Sequence, residues 1–237
     1  MGHDLYSPVH GVLATIDPVL RSWGGQYIVD IRPSGSFAKG TAVHGGTDID
    51  LFISLTSTLS DPLQSIYGTL FNALSQAGYR ARRQNVSIGI TVRGWKVDVT
   101  PGRRQDQYGN YHSLWSNKNS SWLQTNINEH IRVVSGSGRI NEIRLITIWR
   151  NRFGLDWPSF YLELFVIDAL KGARLGAVRE NIVTVFRAID QSITTRRLID
   201  PSNTNNAVSA TLTTEAKAAL AVAARSALNS SWEIVFQ

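Results

Sequence analysis

A chain of 237 residues without a single cysteine excludes a disulfide scaffold and thiolate-ligated zinc. Hydrophobic residues make up 43% of the sequence, which predicts a folded body that can split into two lobes around a cleft. No apolar run approaches the roughly 18 residues that cross a bilayer, and the N-terminus lacks the apolar stretch of a signal peptide. We therefore expect a cytoplasmic protein with no membrane partner.

The excess of basic residues gives a formal net charge of +6, which could attract nucleotides or a nucleic acid. A solvated basic face would produce the same excess, so charge alone leaves both interpretations open. The basic residues gather in three groups: Arg80, Arg82 and Arg83, then Arg93 and Lys96, then Arg103 and Arg104.

The first part of the chain alternates between helical and strand patterns. Apolar residues at helical spacing predict a helix over 9–23 that ends at Gly24-Gly25. Strands are predicted over 27–32 and 49–55, with a Gly35-Ser36 turn between them. A second helix follows, with Asp61 as its N-cap, Pro62 in its first position and Gly78 as its end.

A β-hairpin is predicted over 86–100, where apolar and polar residues alternate strictly around an Arg93-Gly94 turn. On the second arm, Asp98 stands between two valines and therefore faces away from the buried side. The turn implies that Gly89 lies opposite Asp98, and we expect open space above the carboxylate there.

The second part of the chain begins with a polar, aromatic-dotted segment that runs from Pro101 to about Ser121. Helical periodicity follows, over roughly 122–134, 139–153, 157–171, 175–191 and 214–228. These patterns predict an α+β protein. A mixed α/β lobe covers 1–120, with an N-terminal helix that could pack across both lobes, and an all-helical lobe covers 121–237.

Acidic residues in the predicted strand after the Gly-Ser turn suggest a metal and phosphate site. Asp48 and Asp50 would project from the same side of a strand, about 7 Å apart. Such a pair prefers hard cations that take further ligands from phosphates. The backbone N–H groups of the Gly35-Ser36 turn and the hydroxyl of Ser36 suit a phosphate oxygen. Together these residues predict a nucleotide polyphosphate site.

Asp98 adds a third carboxylate from a neighbouring strand. Three carboxylates repel one another, so they need cations to remain ionised and close together. Two divalent ions about 4 Å apart, Mg²⁺ or Mn²⁺, would support nucleotidyl transfer. Asp48 and Asp50 would bridge the ions, while Asp98 would bind the ion at the nucleophile and could accept its proton. Asp-x-Asp alone also fits a capped turn or a salt-bridged edge, but its conjunction with the Gly-Ser pair and Val97-Asp98-Val99 favours the catalytic interpretation.

The segment 34–55 resembles the signature of the DNA polymerase β-type nucleotidyltransferases, in their oligoadenylate synthase and cyclic GMP-AMP synthase-like branch, which includes the bacterial CD-NTases. The likeness covers most of the chain and includes Lys96-Val97-Asp98-Val99-Thr100-Pro101, Trp122 with 125–130, Arg144-Leu145-Ile146-Thr147-Ile148-Trp149, 158–164, Ile199-Asp200-Pro201 and Asn205-Asn206. The resemblance implies a polymerase β-like nucleotidyltransferase lobe and a helical lobe that binds the donor nucleotide, with the active site in the cleft between them.

The same resemblance implies roles for individual residues. Gly35 and Ser36 would hold the β- and γ-phosphates, and the three aspartates would hold the metals. Ser159 and Tyr161 would lie at the donor nucleotide, with the tyrosine ring stacked on the base. Lys39 and Thr41, in the loop before the acidic strand, could contact phosphate or lie on a flexible surface.

One position departs from the family pattern. The family's helix usually reads Arg-Leu-x-Lys, with the lysine at the triphosphate, and this chain has Thr147 in that place. Arg144, Thr147 and Arg150 share a helical face, so an arginine could replace the lysine. Lys171 is another candidate.

The resemblance implies a template-independent nucleotidyltransferase that uses NTPs, ATP among them, to make a cyclic or linear oligonucleotide second messenger in bacterial antiphage defence. An RNA or accessory-protein activator could bind the basic residues at 80–83 and 103–104. Two alternatives stay open: nucleotide addition to an RNA 3′ end, as in tRNA CCA addition, or to a protein or antibiotic, and a catalytically silent binding module. The presence of all three aspartates argues against the silent binding module, whereas Thr147 in place of the usual lysine weakly favours it.

Overall fold

The structure is a computed structural model that describes residues 8–236. The chain packs as two compact units. The sheet unit runs to Ala38 and resumes over Asp48–Asn128, and the helical unit comprises Lys39–Thr47 and the chain from Glu129 onwards. The predicted lobe boundary at residue 120 stays a prediction. The prediction of a lobe over 1–120 includes residues 1–7, which lie outside the described residues.

The sheet unit is built on a mixed sheet. Its strands are β1 Ile28–Pro33, β2 Ile49–Leu55, β3 Arg82–Arg83, β4 Ile88–Val92, β5 Trp95–Arg104, β6 His112–Ser116 and β7 Ser121–Thr125. The spatial order is β1-β2-β5-β4-β3, with β6 paired to β5 and β7 paired to β6. Only β2 and β5 are parallel among these neighbours, and their register sets Asp50 opposite Asp98.

Three helices accompany this sheet: α1 Pro8–Gly24, α2 Gly35–Lys39 and α3 Leu63–Gln76. The predicted helices α1 and α3 are confirmed, and their apolar faces join the core of the sheet unit. Gly78 ends α3 with a φ of +89°, as expected for a glycine stop. The prediction that Asp61 is the N-cap of α3 was wrong. Pro62 has the extended backbone of the N-cap position and the helix begins at Leu63, so Asp61 lies one residue too early to cap it.

The hairpin of β4 and β5 is confirmed with the predicted turn and register. Arg93 and Gly94 both have positive φ, 51° and 81°, as a two-residue type I′ turn requires. Gly89 lies opposite Asp98. The polar segment after Pro101, to which the sequence assigns no element, contains the end of β5, which continues to Arg104, and two more strands follow. Proline is tolerated there because the pairing of β4 with β5 stops at Val99.

The helical unit contains α5 Ile140–Arg152, α6 Ser159–Ala169, α7 Val178–Ser192, α8 Thr214–Leu228 and α9 Trp232–Phe236, and it takes up most of α4 Ile127–Ser135. The predicted helix over 122–134 was therefore wrong in its first turn, where β7 still pairs with β6. A small antiparallel pair, β8 Ile199–Asp200 and β9 Asn203–Ala207, shows that this unit is not all-helical. Within residues 8–236, no helix combines the length and apolarity that membrane crossing demands.

Candidate active site

The Gly35-Ser36 pair, predicted as a turn, begins the short helix α2 and packs directly on the acidic strand. Gly35 has a φ of +56°, and a Cβ built on it would lie 1.7 Å from Oδ2 of Asp50. Only glycine fits this position, because any side chain would collide with the carboxylate. The backbone N–H of Ser34 donates to the carbonyl oxygen of Asp50 at 2.8 Å. The turn and the carboxylate are thus held as one local structure.

The three predicted carboxylates come from neighbouring positions in the sheet unit. Asp48 is exposed and immediately precedes β2, whereas Asp50 and Asp98 are partly buried at opposed positions of β2 and β5. Burial raises the pKa of Asp98 above its ordinary value, and the charge of Asp48 adds to this effect. Gln84, Arg82 and Lys96 act in the opposite direction on the same pKa.

The oxygen-only donor set of these carboxylates suits Mg²⁺ or Mn²⁺. Across the described residues, however, no group of three or more His, Cys, Asp or Glu side chains is close enough to hold a metal ion. The carboxylate of Asp50 lies against the Gly35 backbone, and that of Asp98 accepts a hydrogen bond from Gln84. The chemistry of the residues therefore fits the metals, while the carboxylates are not gathered around one point.

Gln84 is a site residue that the sequence interpretation missed. Its Nε2 donates to Oδ1 of Asp98 at 2.9 Å, and its Oε1 accepts from the Ser87 hydroxyl. A Cβ on Gly89 would lie only 2.7 Å from this Nε2. The expectation of open space above Asp98 was therefore wrong, because the Gln84 amide occupies the room that glycine leaves. No periodicity marks Gln84, which lies in the chain before the hairpin.

Lys39 does not face a phosphate site. Its exposed fraction is 6%, and its ammonium forms an ion pair with Glu163, which is itself 2% exposed. The hydroxyl of Thr41 donates to the other oxygen of Glu163 at 2.6 Å. The prediction of a phosphate contact for Lys39 and Thr41 was wrong, because one buried carboxylate takes both donors. Glu163 itself was not singled out from the sequence.

The predicted donor-nucleotide residues of the helical unit fall into two groups. Arg144 is exposed, and the Thr147 hydroxyl donates to the carbonyl oxygen of Ile143 within α5 at 2.8 Å. Arg150 is more constrained, since its Nη1 donates to the exposed Ser159 hydroxyl at 3.0 Å and to a backbone carbonyl at 2.9 Å. Burial lowers the pKa of Arg150. Arg150 and Ser159 thus form one polar unit.

Tyr161 is not available to stack on a base. Its side chain is 1% exposed and meets the rings of Trp157 and Phe165 edge-on, at centroid distances of 5.8 and 6.3 Å. Burial raises the pKa of Tyr161 to about 12. The prediction of base stacking was wrong, because α6 is buried around its whole circumference and the tyrosine belongs to the core. Lys171, the other phosphate candidate, pairs with Asp168 at 2.5 Å.

Several arginines of the predicted basic groove already form contacts within the sheet unit. Arg83 stacks on Phe71, with 4.2 Å from its guanidinium carbon to the ring centroid. Arg103 donates to two backbone carbonyls at 3.1 and 2.9 Å, and Arg104 donates to the Ser54 hydroxyl at 3.1 Å. Arg80 and Arg82 are exposed. A continuous groove for an RNA activator therefore has little support from these side chains.

Comparisons with known proteins agree with this architecture. No family model matches the chain. The cyclic AMP-AMP-AMP synthase of Escherichia coli strain MS 115-1 is 25% identical over 154 residues, which cover 58% of this chain and 47% of that protein. The match thus spans about half the length of the curated relative.

Solved structures match over nearly the whole chain. E. coli MS115-1 CdnC, solved with ATP, has a TM-score of 0.76 at 21% identity and covers 95% of this chain and 84% of its own. The Bradyrhizobium diazoefficiens CD-NTase CdnG, solved with GTP, has a TM-score of 0.72 at 14% identity, with coverages of 94% and 86%. This chain has the CD-NTase fold. At the level of the fold, the family resemblance and the α+β class predicted from the sequence are confirmed.

Within this fold, the strand order explains why residues far apart in the sequence lie close together. Gly35 and Ser36 lie between β1 and β2 in the chain, β2 is an interior strand between β1 and β5, and β5 carries Asp98 opposite Asp50. CdnC has also been solved in a complex with HORMA-deltaN, in a structure with a TM-score of 0.70, 20% identity and coverages of 95% and 83%.

Proposed function

We propose that this chain is a template-independent nucleotidyltransferase that joins NTPs through phosphodiester bonds into a cyclic or linear oligonucleotide. The observation that carries the proposal is the packing of Gly35 on Asp50, which stands opposite Asp98 in the parallel pair β2 and β5. A phosphate-binding turn and two opposed carboxylates are thereby held together. The relatives solved with ATP and GTP support NTPs as substrates.

In the proposed reaction, a hydroxyl oxygen of the acceptor attacks the α-phosphorus of an NTP. The new P–O bond forms as the bond from the α-phosphorus to the bridging oxygen breaks, and pyrophosphate leaves with that oxygen. Asp98 accepts the hydroxyl proton. The Ser36 hydroxyl and the backbone N–H of Gly35 hold the β- and γ-phosphates, because hydroxyl and backbone N–H groups donate to phosphate oxygens.

The proposal includes two divalent ions, Mg²⁺ or Mn²⁺, as cofactors. Asp48, Asp50 and Asp98 are the residues that would hold them. When bound, such ions neutralise the triphosphate and lower the pKa of the attacking hydroxyl.

The helical unit would contribute to the donor nucleotide through Ser159 and Arg150, which already form one polar unit, with Arg144 and Thr147 on the adjoining α5. Arg150 then takes the place of the lysine that the family pattern has at Thr147. We also propose a cytoplasmic role in bacterial antiphage defence, regulated by an accessory protein. The complex of CdnC with HORMA-deltaN supports the accessory protein.

Incubation of the full chain with each α-³²P-labelled NTP, singly and mixed, in Mg²⁺ or Mn²⁺ tests this function. We expect pyrophosphate release and small labelled products that resist phosphatase, and we expect Asp50→Asn and Asp98→Asn to abolish both. Label added to the 3′ end of RNA would indicate the RNA-tailing alternative. Nucleotide binding without pyrophosphate release would indicate a silent binding module.

A further inference from the structure

The sheet face that carries Asp98 continues beyond it into a basic half. The register aligns Asp50, Asp98, Gly89 and Arg82 in one row across β2, β5, β4 and β3. Residues directly opposite one another in neighbouring strands share a face of the sheet. Lys96 lies two positions before Asp98 on β5 and therefore shares that face as well. In the row, Asp50 lies on one side of Asp98 and Arg82 lies on the other, while Lys96 lies beside Asp98 along β5.

The Arg82 side chain extends along this row towards Asp98. A Cβ on Gly89 would lie 3.4 Å from Nη2 of Arg82 and 3.3 Å from Oδ1 of Asp98. The guanidinium and the carboxylate thus border the same point, beside the Gln84 amide, which lies 2.7 Å from it. A Cβ at position 89 would be in ordinary contact with the guanidinium, and it would collide with Gln84 Nε2, which lies 2.7 Å away.

Both cations of this basic half are available to a ligand. Arg82 and Lys96 are exposed. In the part of the chain that the structure describes, neither takes part in a hydrogen bond or in an ion pair within 4 Å. Their neighbour Arg83, on the opposite face, is instead occupied by Phe71. An unpaired guanidinium offers several N–H donors in a fork that matches phosphate oxygens.

The two ends of the row suit different phosphates. The Gly35 turn and the metal-binding carboxylates lie on the Asp50 side and serve the triphosphate of the donor. An acceptor whose hydroxyl lies at Asp98 would extend away from that side, past the Gln84 amide that covers Gly89, towards Arg82 and Lys96. Arg82 stands two strand spacings from Asp98, about 10 Å between the backbones, and its long side chain shortens this gap.

We propose that Arg82, assisted by Lys96, binds the 5′-phosphates of the acceptor nucleotide or of the growing oligonucleotide. The proposal rests on the proposed nucleotidyl transfer, since that reaction gives the chain a phosphorylated acceptor. It makes Arg82 a residue that selects 5′-phosphorylated acceptors over acceptors that end in a hydroxyl.

Two diadenylates that differ only at the 5′ end, pppApA and ApA, test the proposal by direct binding. Calorimetric titration in Ca²⁺ without a donor measures both affinities for the wild-type chain, for Arg82→Gln and for Arg83→Gln. The Arg83 variant is the matched control, because it removes the same charge from the adjacent position on the opposite face. Circular dichroism verifies that each variant is folded.

We expect Arg82→Gln to weaken pppApA about 10-fold or more and to leave ApA unchanged, as for the loss of a charge-assisted phosphate contact. The slope of log affinity against log salt for pppApA should fall by about one. In turnover, KM for pppApA should rise while kcat stays nearly constant. Arg83→Gln should reproduce none of these changes.

Equal weakening of pppApA and ApA by Arg82→Gln would overturn the proposal, as would an unchanged affinity for pppApA or its failure to bind the wild-type chain. The binding measurements need no turnover. A wild-type chain that distinguishes the two diadenylates but forms no product would therefore contradict the proposed reaction and not the phosphate site.

Discussion

The strand β5 and the helix α6 place polar residues in opposite ways. In β5, Val97 and Val99 are fully buried while Asp98 between them stays partly accessible. In α6, the residues from Tyr161 to Val166 are buried one after another, and Glu163 among them is enclosed with its partners. A strand with one covered face presents every second residue to a ligand. A helix that is apolar around its circumference presents only its ends, which here leaves Ser159 accessible.

Asp98→Asn tests the accessible carboxylate of β5, and of the substitutions proposed here it should have the largest effect. The substitution keeps the shape of the side chain but removes its charge and its capacity to accept a proton. We expect product formation to fall by about a thousandfold or more, a loss typical of an essential acid–base group. Product assays report the loss, and thermal unfolding should show little change. A variant that retains full activity would contradict the role of Asp98.

Glu163→Ala tests the opposite arrangement, in which a polar residue of α6 serves packing. The change leaves the buried ammonium of Lys39 without its partner, and we expect it to cost about 3–5 kcal/mol of the free energy of unfolding. Urea denaturation measures the cost. In the double variant Lys39→Met, Glu163→Leu, most of that loss should be recovered, because no unpaired charge remains. An additive loss in the double variant would contradict a coupled pair.

His112 extends the comparison to a buried titratable group of the sheet unit. Burial lowers its pKa to about 4, while its ring nitrogens bond to Ser54 and to the Asn110 carbonyl at 2.8 and 2.9 Å. The unfolded chain therefore binds a proton at higher pH than the folded chain does. The free energy of unfolding should be fully present above pH 6.5 and fall by on the order of 3 kcal/mol as the pH drops to about 4.

Urea denaturation of the wild-type chain and of His112→Asn across this pH range isolates the contribution of the histidine. The variant lacks the titrating ring, so its stability should vary less between pH 6.5 and 4. Identical pH profiles for the two chains would show that other groups cause the dependence.

Tyr161→Phe should have the smallest effect. The tyrosine hydroxyl lies 3.5 Å from the carbonyl oxygen of Ile193, a long contact, and the ring stays in the core of the helical unit. We expect a change of less than about 1 kcal/mol in the free energy of unfolding and no change in KM for NTPs. A several-fold rise in KM at unchanged stability would place the tyrosine at the nucleotide after all.

The parts of the fold that were predictable have strong local signals. Arg93-Gly94 between two alternating runs fixed both the hairpin and the register of Gly89 with Asp98, because a two-residue turn leaves little freedom in pairing. The strands after Pro101 gave no such signal. Their polar residues resemble a loop, and only their pairing with β5 and with each other makes them strands.

The site residues divide in the same manner. The proximity of Gly35, Asp50 and Asp98 could be predicted because the backbone itself brings these residues together, while their roles stay a prediction. The errors at Lys39 and Tyr161 concern side chains whose surroundings depend on distant packing. Lys39 meets a carboxylate 124 residues later in the sequence, and no local pattern announces such a partner. Gln84 was missed for a related reason, since its position follows from a turn and not from a periodicity.

The ion pair of Lys39 with Glu163 also affects the order in which parts of the chain can fold. During synthesis, the turn at Gly35-Ser36 and the strand with Asp50 leave the ribosome long before Glu163 does. The loop between them belongs to the helical unit, so its final anchoring waits for the second half of the chain. Closing so long a segment is entropically costly, which makes this contact a late step of folding. A nascent chain would therefore contain Asp48 and Asp50 well before it can close the loop that joins them to Gly35 and Ser36.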